Sequence, residues 1–436
     1  MVISKKSLLC IQLPMFVVGA VVGIILLIDI LLPFTSAYAD VVPGYFVYLA
    51  FFTLIYVVYS LLVLGVEVAL PVVQQEIRSP NCYLTKCMTL ACLVSMAGIL
   101  ALVIDRTMYQ GVDFFSQSFV EIRSRLNAER EPGSDVSSWF SVFGNLFQFS
   151  YFFTFSCLVF YYEGFSRARR KFYILLVIFC LLSGSYILGG RSIFGLFALT
   201  MIAMLVARSV SGRSSLRQLL SGRITLAIFV LLLLVVAAVV YVFYARASIS
   251  GMDSSTYLHN FVEHLHGRPV IGYQACTGSM WCDALNYLQL SGIYVTHVFW
   301  VLAETIAHPV MKPEGVPVFG ASAVILAKVF GSLSGEYEFA GLFNSMPGSL
   351  FYQYGGLGVT AGAFFLGFAV ALSVCGLRRG GGIVSIVVFY ALFMALLVAP
   401  VLSILNMMVF IFVLFSMFVM SIIYLLRISM ARRSSL

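Results

Sequence analysis

The sequence predicts an all-α membrane protein, a polytopic bundle of about 10–12 transmembrane helices with one large outer loop. Three observations predict it. Hydrophobic residues fill 61% of the 436 positions and charged residues only 10%, against about 25% charged in a typical soluble protein. Apolar runs of about 20 residues recur, the length that carries a helix across a bilayer core of about 30 Å. Helix is the default there, because lipid offers backbone polar groups no partner of its own. Unbroken runs such as Ile224 to Tyr241 do not fit the short alternating segments of a membrane barrel.

The spans, in order, cover about 9–33, 44–68, 87–105, 138–161, 171–188, 192–208, 224–244, 348–376, 383–402 and 404–426. The first follows Lys5 and Lys6 and precedes Ala37-Tyr38-Ala39, so it resembles a secretory signal. Its apolar run is too long for one, and it is read as an uncleaved first span. Ten spans put both termini on one side. Lys5, Lys6, Arg78, Lys86, Arg167, Arg169, Arg170, Lys171, Arg208, Arg213, Arg217, Arg223, Arg378, Arg379, Arg427, Arg432 and Arg433 fall on that side, 17 of the 26 basic residues. Basic residues in short loops mark the cytoplasmic side. The expectation is therefore a bacterial inner-membrane protein with both termini cytoplasmic. The net charge of +8 reports this orientation and implies no nucleic acid.

Two outer segments remain, Arg106 to Ser137 and a large periplasmic loop over 245–347, within a single membrane domain of 1–436. The loop holds two apolar stretches, Ala284 to Ile306 and Val316 to Leu333. As spans they would raise the total to twelve and keep the parity. However, His297, Glu304 and Lys328 would be costly at membrane depth, which favours interfacial or re-entrant helices.

Several chemistries are excluded. The chain has no Gly-x-x-x-x-Gly-Lys phosphate loop, no Asp-x-Asp, no His-Glu-x-x-His and no Cys-x-x-Cys, so neither ATP hydrolysis nor a familiar metal site is expected. Asp29 and Glu67 are almost the only carboxylates inside the spans. An ion-coupled transporter usually carries more.

What remains on the outer side is basic, aromatic and histidine-rich. In Leu188-Gly189-Gly190-Arg191-Ser192 two spans meet with almost no loop. Ser192 suits a cap, and the helix N-terminus and the Arg191 guanidinium together suit a phosphate; the other reading is an arginine snorkelling to the interface. Arg246 follows the seventh span, and His264, His266 and Arg268 cluster beyond it, as an anion site or a solvated loop. Glu304 and His308 are four apart and would share a helix face, as a general base with its orienting partner or as a structural pair. Glu336 and Glu338 are the close acidic pair of the loop. Ser345 suits an N-cap, and Tyr352 and Tyr354 either stack on sugar rings or belong to the interfacial aromatic belt. Cys276 and Cys282 are the two cysteines placed outside, where an oxidising compartment permits a disulfide.

These residues resemble a family. Gly189-Gly190-Arg191-Ser192 opening a span with a Gly-x-Arg turn, His308-Pro309 through Pro313-Glu314-Gly315 and Phe319-Gly320, and above all Asn344-Ser345-Met346-Pro347-Gly348 followed by Tyr354-Gly355-Gly356-Leu357-Gly358 resemble bacterial O-antigen polymerases of the Wzy type. The resemblance implies a GT-C-like, all-helical glycosyltransferase with a periplasmic active site and no metal or other cofactor. Its donor and acceptor would be undecaprenyl-diphosphate-linked oligosaccharide repeat units. Partners would be membrane lipid, a chain-length regulator of the Wzz type and a flippase of the Wzx type.

The family's outer arginines would map to Arg191 and to Arg246 or Arg268, with His264 and His266 beside the diphosphate. Asn344 and Tyr352 would meet the glycan. Proton-transfer candidates are Glu304, His308, Glu336 and Glu338. Two other readings stand beside this one: an O-antigen ligase, and a flippase for lipid-linked oligosaccharides.

Overall fold

The computed structural model describes residues 5–37, 39–69, 81–114, 138–188, 192–213, 243–248, 250–308, 344–380 and 382–433, with residues 233, 237, 240 and 241. The described chain is an all-α bundle. Long helices are α1 (Lys5–Leu31), α2 (Val42–Ala69), α3 (Cys82–Ile104), α6 (Arg167–Leu188), α7 (Ser192–Val210), α11 (Met346–Arg379) and α13 (Met408–Arg433). Shorter ones are α4 (Trp139–Phe147), α5 (Tyr151–Phe160), α8 (Ser254–His264), α9 (Met280–Thr296), α10 (Val298–Ala307) and α12 (Ile383–Val398). Among the described residues, eight helical segments are long and apolar enough to cross a membrane, or nine if α9 and α10 count as one bent span. The expected spans over 224–244 and the stretch over 316–333 lie largely or wholly outside the described residues.

Two spans depart from the expected form. The segment over 138–161 is not one continuous helix: α4 and α5 are separated by a tight turn at Gln148–Ser150. The turn frees the Gln148 carbonyl, and Ser95 of α3 donates its hydroxyl to it. Glycines bring these backbones together. A Cβ on Gly98 would lie 2.6 Å from the Gln148 nitrogen, and one on Gly144 would lie 2.5 Å from Leu102 Cγ, the small-residue contact that close membrane helices use. The segment expected over 383–402 ends as a helix at Val398, with Ala399 as its C-cap still in helical geometry; Pro400 follows, and its missing amide hydrogen cannot continue the helical ladder.

Capping is local and legible. Asn81 Oδ1 accepts from the Leu84 amide at 2.7 Å to start α3. Ser279 does the same for Cys282 at 3.2 Å to start α9, and Ser345 for Gly348 at 3.2 Å to start α11.

The two ends of the bundle differ. At one end, Arg208 donates to the Val159 carbonyl at 2.7 Å and pairs with Glu163. Arg378 donates to the Val210 carbonyl at 3.1 Å, and Arg213 stacks over Phe160 and Tyr161. This basic end ties α5, α7 and α11 together. At the opposite end a short antiparallel ladder pairs β1 (Phe34–Ser36) with β2 (Gly267–Pro269), Thr35 facing Arg268. It joins the α1–α2 connection to the segment that follows α8. At the same end Met346 donates to the Ala399 carbonyl at 3.1 Å and Ser403 to the Asn344 carbonyl at 3.3 Å, locking the start of α11 to the α12–α13 connection.

Candidate functional site

The ladder is what assembles the site. Leu265 caps α8, and His266 follows with φ of 53°, the left-handed conformation that often ends a helix. The chain then turns into β2 and runs beside β1. Gly267 makes this approach feasible, since a Cβ there would sit 2.7 Å from the ring of Trp300 on α10. With β2 held against α10, His266 Nδ1 lies 3.8 Å from Glu304 Oε1. His308, at the C-cap of α10, brings Nε2 to 4.0 Å from the same oxygen.

Two imidazoles therefore converge on one carboxylate oxygen. The Glu304 side chain is 16% exposed, so it meets solvent along one edge, while its Oε2 is buried and makes no hydrogen bond. Such a carboxylate, flanked by imidazoles at its open edge, can accept a proton from a hydroxyl and pass it on. The i,i+4 pairing of Glu304 with His308 is as the sequence suggests; the addition of His266, read there as an anion ligand, is new.

The other sequence candidates divide. Arg268 lies in β2, two residues from His266, and is exposed. Arg246 and His264 are exposed, and neither is brought to Glu304 within ion-pair distance. Arg191, Glu336 and Glu338 lie outside the described residues. Tyr352 is half-buried on α11. Asn344 is fully buried, and neither its Oδ1 nor its Nδ2 has a hydrogen-bond partner. Ser349 Oγ on the next turn is also buried and unpartnered. His297 is a core residue whose Nδ1 lies 3.1 Å from the Ile293 carbonyl of its own helix. The Cys276–Cys282 disulfide is present, with Cα atoms 4.9 Å apart.

Two polar groups escaped the sequence reading. Tyr45 of α2 donates to Asp29 of α1 beside Thr296 of α9, a cluster under the bend where α9 meets α10 at 46°. At the far end of α3 a π-helical turn over Asp105–Tyr109 carries a network in which Ser138 and Gln110 donate to Asp105, and Arg106 to Gln110. The apolar run of α3 gave no sign of it. Next to that turn a cavity of about 600 Å³, lined by Val103, Thr107, Phe114, Ser183, Tyr186 and Ile187, opens between α3 and α6. It holds none of Glu304, His266 or His308.

Fold and site together define a multi-pass membrane protein with a histidine-flanked carboxylate at one end of its helix bundle. The chain matches no family model, no curated protein and no solved structure.

Proposed function

We propose that this protein is a membrane glycosyltransferase that polymerises undecaprenyl-diphosphate-linked repeat units, as O-antigen polymerases of the Wzy type do. The single observation that carries the reading is the Glu304 carboxylate, flanked by His266 at 3.8 Å and His308 at 4.0 Å, at the end of the bundle away from the arginine contacts. The resemblance around Arg191, His308 and Asn344 to Gly358 supports it independently. The basic end is taken as cytoplasmic, so the Glu304 end would face the periplasm of the inner membrane.

The chemistry needs little else. Glycosyl transfer builds positive charge on the sugar and negative charge on the departing diphosphate. Arg191, with Arg268 and Arg246 as further candidates, would stabilise the second charge; removing one such donor typically costs about 100 to 1,000 fold in rate. Glu304 would take the acceptor hydroxyl's proton and His266 or His308 would share it, a contribution of about 100 to 10,000 fold. Asn344 holds an unpartnered, fully buried carboxamide at the start of α11; it would meet sugar hydroxyls only once the turn around it opened. The diphosphate carrier is its own leaving group, so no nucleotide sugar is required.

The test is a glycan ladder in a polymerase-deficient strain. A wild-type gene that restores the ladder, and a Glu304→Gln gene that does not despite equal membrane protein, support the reading. Transfer of a single repeat unit to a lipid A core would make the protein a ligase instead, and transport of the lipid-linked unit without chain growth a flippase. Sidedness is checked with His259→Cys, which should react with a membrane-impermeant thiol reagent in intact spheroplasts; protection there would invert the topology.

A further inference from the structure

We propose that residues 253–290 form a two-faced module seated in the bilayer surface, with α8 turned to water and the first half of α9 turned into the lipid of the adjoining leaflet. The proposal does not depend on the glycosyltransferase reading.

The two helices of the module present different outer surfaces. In α8, Leu258 and Val262 are buried, while His259, Asn260 and Glu263 are exposed. That is the arrangement a helix adopts against water. Asp253 caps it, and donors from Ser255 and Thr256 hold the Asp253 carboxyl below the usual carboxylate range, as befits a wet N-terminus. In α9 apolar residues lie on both sides: Tyr287 and Leu290 are buried, while Trp281, Leu285 and Leu288 are exposed, as is Asp283. Asn286 is fully buried, donating to Ser254 Oγ at 3.0 Å and to the Cys276 carbonyl at 2.9 Å. Ser254 in turn donates to Asp283 at 2.5 Å. Polar groups thus join the two helices on the inside.

Beside the exposed Asp283, α9 carries an outer apolar stripe. Trp281, Leu285 and Leu288 are 81%, 46% and 52% exposed. Their spacing of i, i+4 and i+7 puts them in one stripe along the helix. Water would penalise this stripe by about 25 cal/mol for each Å² of apolar surface.

The occupant is identified by what the stripe adjoins. Farther along α9, Gly292 packs against Ile28 of α1 and Leu32 just beyond its end, where an added Cβ would sit 3.3 and 3.1 Å from their side chains. The same turn of α1, a span, leaves Ile30 77% and Leu31 73% exposed. The stripe therefore continues the lipid-facing belt of the bundle, and Trp281 stands at its outer end, where tryptophan favours the membrane interface. The Cys276–Cys282 disulfide pins the loop that leads into this helix. An exposed apolar stripe that runs from an interfacial tryptophan into the surface of a span is stabilised by contact with lipid.

Fluorescence quenching tests this. The protein is placed in nanodiscs of phosphatidylcholine with dibrominated acyl chains, and the difference between wild type and Trp281→Phe isolates the emission of Trp281. A second chain, Trp281→Phe with His259→Trp, reports on α8. The expected result is that brominated lipid removes most of the Trp281 emission and iodide little, with the reverse for the residue-259 probe. If brominated lipid quenches Trp281 no more than the residue-259 probe, the proposal fails. Strong quenching of Trp281 by iodide would then make α9 a water-facing helix, and quenching by neither agent would mean that protein, such as a second copy, covers the stripe.

Discussion

The Tyr45 hydroxyl donates to Asp29, joining the first turn of α2 to the last turn of α1 directly beneath the bend between α9 and α10. The carboxyl is 7% exposed and its other oxygen has no hydrogen-bond partner. Removing one partner of a buried polar pair costs about 1–3 kcal/mol, whereas removing both costs less. Tyr45→Phe should therefore lower the unfolding temperature in detergent, and Asp29→Leu added to Tyr45→Phe should recover part of the loss. Additive losses would show that the pair is not coupled.

Gly348 is a glycine because Asn344 lies on it. A Cβ there would sit 1.7 Å from Asn344 Oδ1, inside a turn in which Asn344, Ser345, Pro347 and Gly348 are buried and whose backbone is held by Ala399 and Ser403. Gly348→Ala should destabilise by about 1–3 kcal/mol through overpacking. The double change with Asn344→Ala should regain most of it, because that carboxamide makes no hydrogen bond to lose. Thermal unfolding of the three variants decides; no rescue would place the clash elsewhere.

Cys276 and Cys282 should resist alkylation until reduced, while Cys82, the exposed free cysteine among the described residues, should label at once. Mass spectrometry of labelled peptides before and after reductant gives the answer. Immediate labelling at both positions 276 and 282 would reject the bridge.

The spans were legible because lipid forces an unmistakable pattern: long apolar runs, with charge pushed to the ends. What escaped was set by contacts between distant residues. The break at Gln148 depends on the Ser95 hydroxyl of another helix. The β1–β2 ladder is three residues long on each side, too short to show any alternation. The site was half legible for the same reason. Glu304 and His308 are neighbours along one helix, so their spacing alone pairs them. His266 reaches Glu304 only because β2 pairs with β1, which nothing in the His264 to Arg268 stretch announces.

Arg191→Lys should keep the charge but lose the planar two-pronged donor and so impair polymerisation. Arg191→Ala should fall by about 100 to 1,000 fold with the protein still in the membrane. Glycan ladders and membrane protein levels, read together, test this. Normal ladders from Arg191→Ala would leave the arginine as an interfacial anchor.

The most direct test of the central claim is chain growth by the purified protein, reconstituted in lipid with an undecaprenyl-diphosphate-linked repeat unit as the sole substrate. Wild type should build a ladder without nucleotide sugar or ATP. Glu304→Gln should slow it by about 100 to 10,000 fold while keeping the wild-type unfolding temperature, and His266→Ala with His308→Ala should slow it as well. Absence of elongation by the wild-type protein, or full-rate elongation by Glu304→Gln, would contradict the account.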